Sequence, residues 1–191
     1  MRLPFVVAEI LTRVAEAEAC AIGVPMCIAI TDSEGGLQLF TRMDGSLPVS
    51  NELSVSKAFT AAVLREATHR IGELAQPGGP LYGIQQSHQG RIILFGGGYP
   101  LYVDGEVMGG IGVSGGSVED DMGVAQAAVQ ALANMESWAA KVKTMVPEKD
   151  LETRVLLRIK DELQRMFVQM TPALPEETVT GLTGGILLAL A

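Results

Sequence analysis

The two histidines, His69 and His88, are the side chains in this chain best suited to ligating a metal. An imidazole nitrogen is a common axial ligand of haem iron. His69 stands shortly before a Pro-Gly loop at residues 77–80. Neither a zinc triad nor a Ser-His-Asp triad is expected from one histidine and two distant cysteines. We therefore predict His69 as the metal ligand, and the alternative is a surface or capping histidine beside Thr68.

A second group of polar residues surrounds a predicted junction between a loop and a helix. It contains Arg42, Asp44, Lys57 and Thr60. The guanidinium fork of an arginine matches the geometry of a carboxylate, including the propionates of a tetrapyrrole. One interpretation is a rim of polar groups that binds ligand carboxylates, and the other is a salt bridge combined with helix capping.

Glycines cluster at residues 96–98 and 109–116, between apolar residues. The cluster lacks the strand-GxGxxG-helix order of a dinucleotide-binding loop, and no Gly-Lys-Ser or Gly-Lys-Thr of a phosphate-binding loop is present. Two interpretations remain. The glycines either form the turns and bulges of a tightly packed antiparallel sheet, which we favour, or they expose backbone to a flat ligand.

Apolar periodicity indicates which elements position these residues. The expected order is a helix over residues 3–20, strands over 24–31 and 37–42, two helices with Ser50 and Thr68 as their N-caps, strands over 91–95, 100–103 and 106–113, and a long helix opening near Ser117. Strands joined by hairpins are antiparallel to each other. The predicted fold class is α+β, with about five strands in a mainly antiparallel sheet flanked by helices.

The chain after residue 146 departs from this pattern. Residues 147–150 interrupt it, and the following apolar residues recur at helical spacing. The stripe consists of Leu151, Val155, Leu156, Ile159, Leu163, Met166, Phe167 and Met170. We therefore divide the chain into a domain over residues 1–146 and a C-terminal amphipathic helical extension over residues 147–191.

Composition limits the classes of function. The net charge of −8 repels phosphate backbones and anionic lipid, so we expect neither nucleic-acid nor membrane binding. No apolar run approaches the roughly 20 residues of a membrane span. The first residues lack the apolar core of a signal peptide, and Cys20 and Cys27 are expected to be free thiols. These features predict a cytoplasmic protein.

Several ordered motifs resemble those of the GlcG/HbpS family, most closely the C-terminal domain of PduO-type proteins. The motifs are Arg42-Met43-Asp44-Gly45, Ser56-Lys57-Ala58, Thr68-His69, Gln76-Pro77-Gly78, Leu81-Tyr82-Gly83, residues 91–98, and Ile111-Gly112-Val113-Ser114-Gly115-Gly116. The resemblance implies a profilin-like layered domain that forms homo-oligomers, often octamers. It also implies haem binding and a link to redox sensing or to cobalamin-dependent diol metabolism in bacterial microcompartments. The adenosyltransferase activity of PduO-type proteins belongs to their other domain, so no residue here is expected to inherit it.

These observations lead to one main functional hypothesis: an oligomeric, non-enzymatic accessory protein that binds haem or another tetrapyrrole. The predicted cofactor-binding residues are His69, Arg42, Lys57, Thr60, Tyr82, Gly97 and Gly98, with His69 as the metal ligand. One alternative is a small-molecule enzyme or reactivation factor that uses Lys57 and Arg42. Another is a structural assembly protein. Residues 150–191 are expected to contact either a microcompartment shell or partner protein, or another subunit.

Overall fold

The structure, a computed structural model, describes residues 2–145, and it describes side chains as far as residue 137. The helices are α1 (Phe5–Ala21), α2 (Ser50–Leu64), α3 (Thr68–Leu74) and α4 (Val118–Met145). The strands are β1 (Cys27–Asp32), β2 (Leu37–Arg42), β3 (Gly98–Val103) and β4 (Glu106–Ser114). Two short 3-10 turns, Ile84–Gln86 and His88–Gly90, precede β3. The predicted extension over residues 147–191 lies outside the described residues.

The four strands form one antiparallel sheet in the order β2-β1-β4-β3. The α+β class and the antiparallel sheet are therefore confirmed. Helix α2 covers one face of the sheet, while α1 and α4 pack together on the other. None of the helices in the described part of the chain has both the length and the apolarity needed to cross a membrane.

The face under α2 is built from small residues. Gly98 and Gly112 are paired across β3 and β4, and Gly110 follows on the same face of β4. A Cβ atom at Gly110 would overlap the Ala58 carbonyl of α2, and one at Gly112 would overlap the Ser54 carbonyl. The helix backbone therefore rests directly on the sheet backbone. The favoured interpretation of these glycines is correct as to tight packing, but Gly110 and Gly112 serve it through contact with a helix and not through turns or bulges.

The opposite face is packed by branched side chains. Ile28 and Ile30 of β1 lie beside Ile111 and Val113 of β4, and all four are fully buried. They form the main hydrophobic core together with apolar residues of α1 and α4. Because side chains alternate between faces along a strand, β4 presents glycine to α2 and a branched residue to the core.

The prediction of about five strands was wrong, because residues 91–95 are not a strand. Their backbone is bound by helices instead. Thr60 Oγ1 in α2 accepts from the Ile93 N–H at 3.0 Å. Its own proton faces the Ser56 carbonyl at 2.7 Å and the Arg91 carbonyl at 3.2 Å. Gly72 of α3 lies directly against the Leu94 carbonyl. An apolar run that crosses two helices resembles a buried strand in sequence, so the pattern alone misassigned it.

Two predicted helix caps were also wrong. The N-cap of α2 is Val49, and the hydroxyl of Ser50 instead accepts a hydrogen bond from Ser114 Oγ at 3.2 Å. The N-cap of α3 is Ala67. The predicted opening of α4 near Ser117 is confirmed, since Ser117 Oγ accepts from the Asp120 N–H at 3.1 Å. The hydroxyls in the two wrong predictions bond across the fold instead of along their own helix.

Candidate functional site

A buried ion pair lies where α2, β4 and α4 meet. Lys57 Nζ donates to Asp121 Oδ2 at 2.6 Å and to the Val113 carbonyl at 2.9 Å. The exposed fractions of the two side chains are 0% and 5%. Each charge has therefore lost nearly all of its hydration, and its partner has to replace that hydration.

Burial acts on both members of the pair in the direction of neutrality. It lowers the pKa of the Lys57 ammonium and raises the pKa of the Asp121 carboxyl. Their mutual hydrogen bond and opposite charges oppose both shifts. Asp121 Oδ1 also accepts the Gly116 N–H at 3.1 Å, which further stabilises the ionised carboxylate.

The segment before β3 covers this pair. The Lys57 ammonium lies 4.8 Å from the centre of the Phe95 ring, within cation–π range. Gly97 has a φ of 109°, and a side chain at this position would meet Lys57 Nζ at 2.8 Å. Gly97 also accepts the Val113 N–H at 2.8 Å. The predicted site residues Lys57, Gly97 and Gly98 thus lie together, and the glycines make room for the lysine.

The start of α3 places His69 against the open edge of β3. Thr68 Oγ1 accepts the Gly98 N–H at 3.0 Å, so it satisfies a backbone group on the edge strand. His69 then lies with its ring centre 5.7 Å from that of Tyr99. Its Nδ1 is buried and has no hydrogen-bond partner in the described structure. A half-buried imidazole with an unused nitrogen is the strongest candidate ligand here.

Tyr99 connects this position to α4. Its hydroxyl accepts a hydrogen bond from Gln126 Nε2 at 2.9 Å. Burial raises the pKa of the Tyr99 phenol, and the hydrogen bond from Gln126 opposes that shift. The phenol therefore stays protonated at neutral pH, and an uncharged aromatic ring lies beside His69.

The other predicted site residues lie elsewhere. Arg42 is at the end of β2, the opposite edge strand, about 14 Å away across three strand spacings. Its guanidinium donates to Ser46 Oγ at 3.3 Å and to the Ser46 carbonyl at 3.4 Å. Thr60 is buried and holds residues 91–93, and Tyr82 is 67% exposed. The structure does not bring Arg42 to His69, so its ligand role stays a prediction.

The acidic run at the start of α4 divides between two tasks. Asp120 accepts the Ser117 N–H and hydroxyl at 3.0 and 2.8 Å, which caps the helix. Asp121 points the other way, towards Lys57. Among the described residues, no cluster of three or more histidine, cysteine, aspartate or glutamate side chains is arranged to hold a metal ion.

Sequence reasoning missed Asp121, Phe95 and Tyr99 as neighbours of the predicted site. Asp121 is 64 residues from Lys57, and nothing local distinguishes it from Glu119 or Asp120. The sequence did predict correctly that a strand ends and a helix begins near Ser117. That prediction puts Glu119, Asp120 and Asp121 in the first turn of α4 but does not tell them apart. The direction in which each carboxylate points depends on the turn of the helix.

Comparison with known proteins identifies the family. Residues 3–130 match the family described as "Haem degrading protein HbpS-like". The chain belongs to the HbpS-like family. A curated relative, "Corrinoid adenosyltransferase PduO" of Salmonella typhimurium, is 45% identical over 122 residues, which are 64% of this chain. The chain spans 36% of the length of that relative, so the match concerns one part of it.

Solved structures of similar proteins share the fold. The structure of a "PduOC:Heme Complex" has a TM-score of 0.66 and 44% sequence identity, and the match covers 69% of this chain and 95% of that chain. Klebsiella pneumoniae protein ORFY has a TM-score of 0.67 and 36% identity, and the match covers 70% of this chain and 92% of that one. The resemblance to the GlcG/HbpS family and to the PduO C-terminal domain is therefore confirmed.

Proposed function

We propose that this chain binds haem or a related tetrapyrrole and acts as an accessory protein. The observation that carries the proposal is the 44% identity to a chain whose solved structure is a haem complex, across nearly all of that chain. The family description also names haem. A fold shared at this identity favours a shared class of ligand, whereas fold alone would not.

The described residues fit a haem at the β3 edge. His69 is half-buried at this edge, and its Nδ1 makes no hydrogen bond in the described structure. An imidazole is a common axial ligand of haem iron. The Tyr99 ring beside it and the Phe95 ring, 42% exposed, are apolar surfaces suited to a flat macrocycle. Haem, when bound, supplies a redox-active iron and a strong visible absorption band.

The remaining predicted residues take different roles in this proposal. Gly97 and Gly98 allow the start of β3 to pack closely against α2 and α3, beside His69. Tyr82 is an exposed aromatic side chain on the loop after α3. Lys57 contributes by holding Asp121 and the end of β4, because direct contact with a propionate would require its ammonium to leave two short hydrogen bonds. Thr60 fixes the segment that carries Phe95.

A hemin titration tests the proposal. Added to the purified full chain, hemin is expected to give a shifted Soret band that saturates at a fixed ratio of haem to protein. Substitution His69→Ala should weaken binding about tenfold or more, since even indirect partners of a metal site contribute that much. The matched control is His88→Ala, because His88 is exposed and lies in a 3-10 turn against Phe59.

Two results would contradict the proposal. A free-hemin spectrum at all protein concentrations would remove haem binding altogether. Equal binding by the wild type and both histidine variants would keep haem but remove His69 as the ligand. Light scattering on the same samples gives the oligomeric state.

The PduO relatives support a proposal about the wider setting. We propose a profilin-like, homo-oligomeric accessory protein, an octamer by resemblance, linked to cobalamin-dependent diol metabolism or to a bacterial microcompartment. The support is the identity of 45% to part of a corrinoid adenosyltransferase. Residues 150–191 are the proposed contact with a shell or partner protein, or alternatively with another subunit, and they lie outside the described residues.

A further inference from the structure

An open cleft of about 410 Å³ lies at the start of α1, far from His69. It is lined by Arg2, Leu3, Pro4, Phe5, Leu37 and Gln38. Phe5 and Leu37 are 57% and 55% exposed, so two large apolar side chains that line one cleft face solvent. The cleft combines these two apolar side chains with the polar Arg2 and Gln38, and its lining is mainly polar. It therefore suits an amphipathic occupant whose apolar side chains cover Phe5 and Leu37.

The cleft lies at the end of the molecule where the chain leaves the described structure. Gln38 Nε2 donates to the Leu3 carbonyl at 2.8 Å, which joins the start of α1 to the start of β2. Glu136 of α4 accepts the Asp104 N–H at 2.8 Å in the β3–β4 turn. In the antiparallel sheet, this turn and the start of β2 share one end. Helix α4 therefore runs towards the cleft before it ends at Met145.

The chain beyond Met145 has the composition that such a cleft would accept. Forty-six residues follow, and those at 151–170 carry the apolar stripe at helical spacing described above. This segment has four basic and three acidic residues, whereas residues 2–145 have nine basic and fifteen acidic ones. The segment therefore carries a net charge of +1 and the domain one of −6, which favours their association overall, while the charged residue that lines the cleft is Arg2.

The connection is long enough for a return. Residues 146–150 span up to about 17 Å when extended. Helices that pack side by side lie only 8–10 Å apart. The chain beyond Met145 is therefore long enough to reach the start of α1, the neighbour of α4 on the same face of the sheet.

We propose that residues 151–170 of this chain dock as an amphipathic helix in the cleft formed by Phe5, Leu37 and Gln38. The docked helix covers Phe5 and Leu37 and places its polar face towards solvent. An intramolecular position of this kind competes with any outside partner for the same apolar stripe. The inference does not depend on haem binding.

Hydrogen–deuterium exchange on the full chain tests the docking. In the wild type, amides at 151–170 should be protected, and Leu37→Asp should raise their exchange rate about tenfold or more by removing one apolar contact. Leu37 is exposed on an edge strand, so the domain should stay folded, which far-UV circular dichroism checks. The matched control is Leu47→Asp. Leu47 is 56% exposed but lies in the loop after β2, at the opposite end of the sheet.

A photo-crosslinking amino acid at position 5 identifies the occupant directly. Crosslinks are mapped in a mixture of isotopically light and heavy protein, which separates bonds within one chain from bonds between two chains. Same-chain crosslinks to residues 151–170 are the expected result. Crosslinks between chains, crosslinks elsewhere, or exchange at 151–170 that Leu37→Asp leaves unchanged would each overturn the proposal.

Discussion

The two faces of the sheet are packed by opposite means, although the same strand serves both. Towards α2, β4 presents Gly110 and Gly112, and the helix backbone lies against the strand backbone. Towards α1 and α4, it presents Ile111 and Val113, which fill space between layers. The alternation Gly-Ile-Gly-Val therefore lets one strand pack closely against a helix on one face and at a larger distance on the other. Packing alone accounts for the two glycines of this alternation.

The faces also differ in polarity. The face under α2 carries buried hydroxyls and ends in the Lys57–Asp121 pair, whereas the other face has an apolar core. Thr31 Oγ1 donates to the Ala58 carbonyl at 3.3 Å, so even the central strand contacts α2 through a hydrogen bond. A helix packed backbone to backbone gains less from apolar burial and depends more on such bonds. Substitutions on the two faces should therefore lower the stability of the fold for different physical reasons.

The largest effect is expected from breaking the ion pair. Lys57→Met leaves the Asp121 carboxylate buried without its partner and should lower the free energy of unfolding by about 3–5 kcal/mol. Urea denaturation followed by circular dichroism measures the change. The double variant Lys57→Met/Asp121→Leu removes both charges and should recover much of the loss, because a buried pair replaced by apolar residues is often neutral. Equal losses in the single and double variants would show that the lysine matters for packing alone.

The next effect comes from adding volume under α2. Gly112→Ala brings a methyl group against the Ser54 carbonyl and the Ala58 N–H, and it should cost about 1–3 kcal/mol because both neighbours are backbone. The matched control is Gly123→Ala in α4, where a Cβ meets nothing within 4 Å. That change should stabilise the helix by up to about 1 kcal/mol. Thermal unfolding of both variants gives the comparison, and a neutral Gly112→Ala would contradict the backbone-contact description.

Local patterns explain which parts of the fold were predictable. The bounds of β2 agree with the predicted residues, and Ser117 caps α4 as expected, because both follow from neighbouring residues. Residues 91–95 were misassigned because their partners are Thr60 and Gly72, on helices far away in sequence. The number of strands therefore depended on tertiary contacts that no local pattern contains.

The candidate site was predictable in part for the same reason. His69 and the glycines at 97 and 98 were selected by residue type and do lie near one another around β3. Lys57 was also selected, but its partner could not be, since Asp121 comes from a helix that begins on the far side of β4. Arg42 was selected as a carboxylate fork, yet the strand order places it on the other edge of the sheet. The type of a side chain indicates what it can bind, whereas the strand order determines which side chains lie close together.

The smallest effect sharpens the contrast on the apolar face. Ile111→Val removes one methylene next to Gly112 and should cost about 0.5–1.5 kcal/mol, the usual price of a small core cavity. Gly112→Ala changes the volume by a similar amount in the opposite direction and should cost more, because neighbouring side chains can relax into a gap but the α2 backbone cannot retreat from a methyl group. Chemical denaturation of the two single variants and of the double variant tests this. Residues 111 and 112 are adjacent but their side chains point to opposite faces, so the double variant measures the coupling between the faces, and additive losses are expected where each face packs independently. A double variant more stable than the sum would mean that the sheet shifts as a whole, and the two faces would then have to be treated as one packing unit.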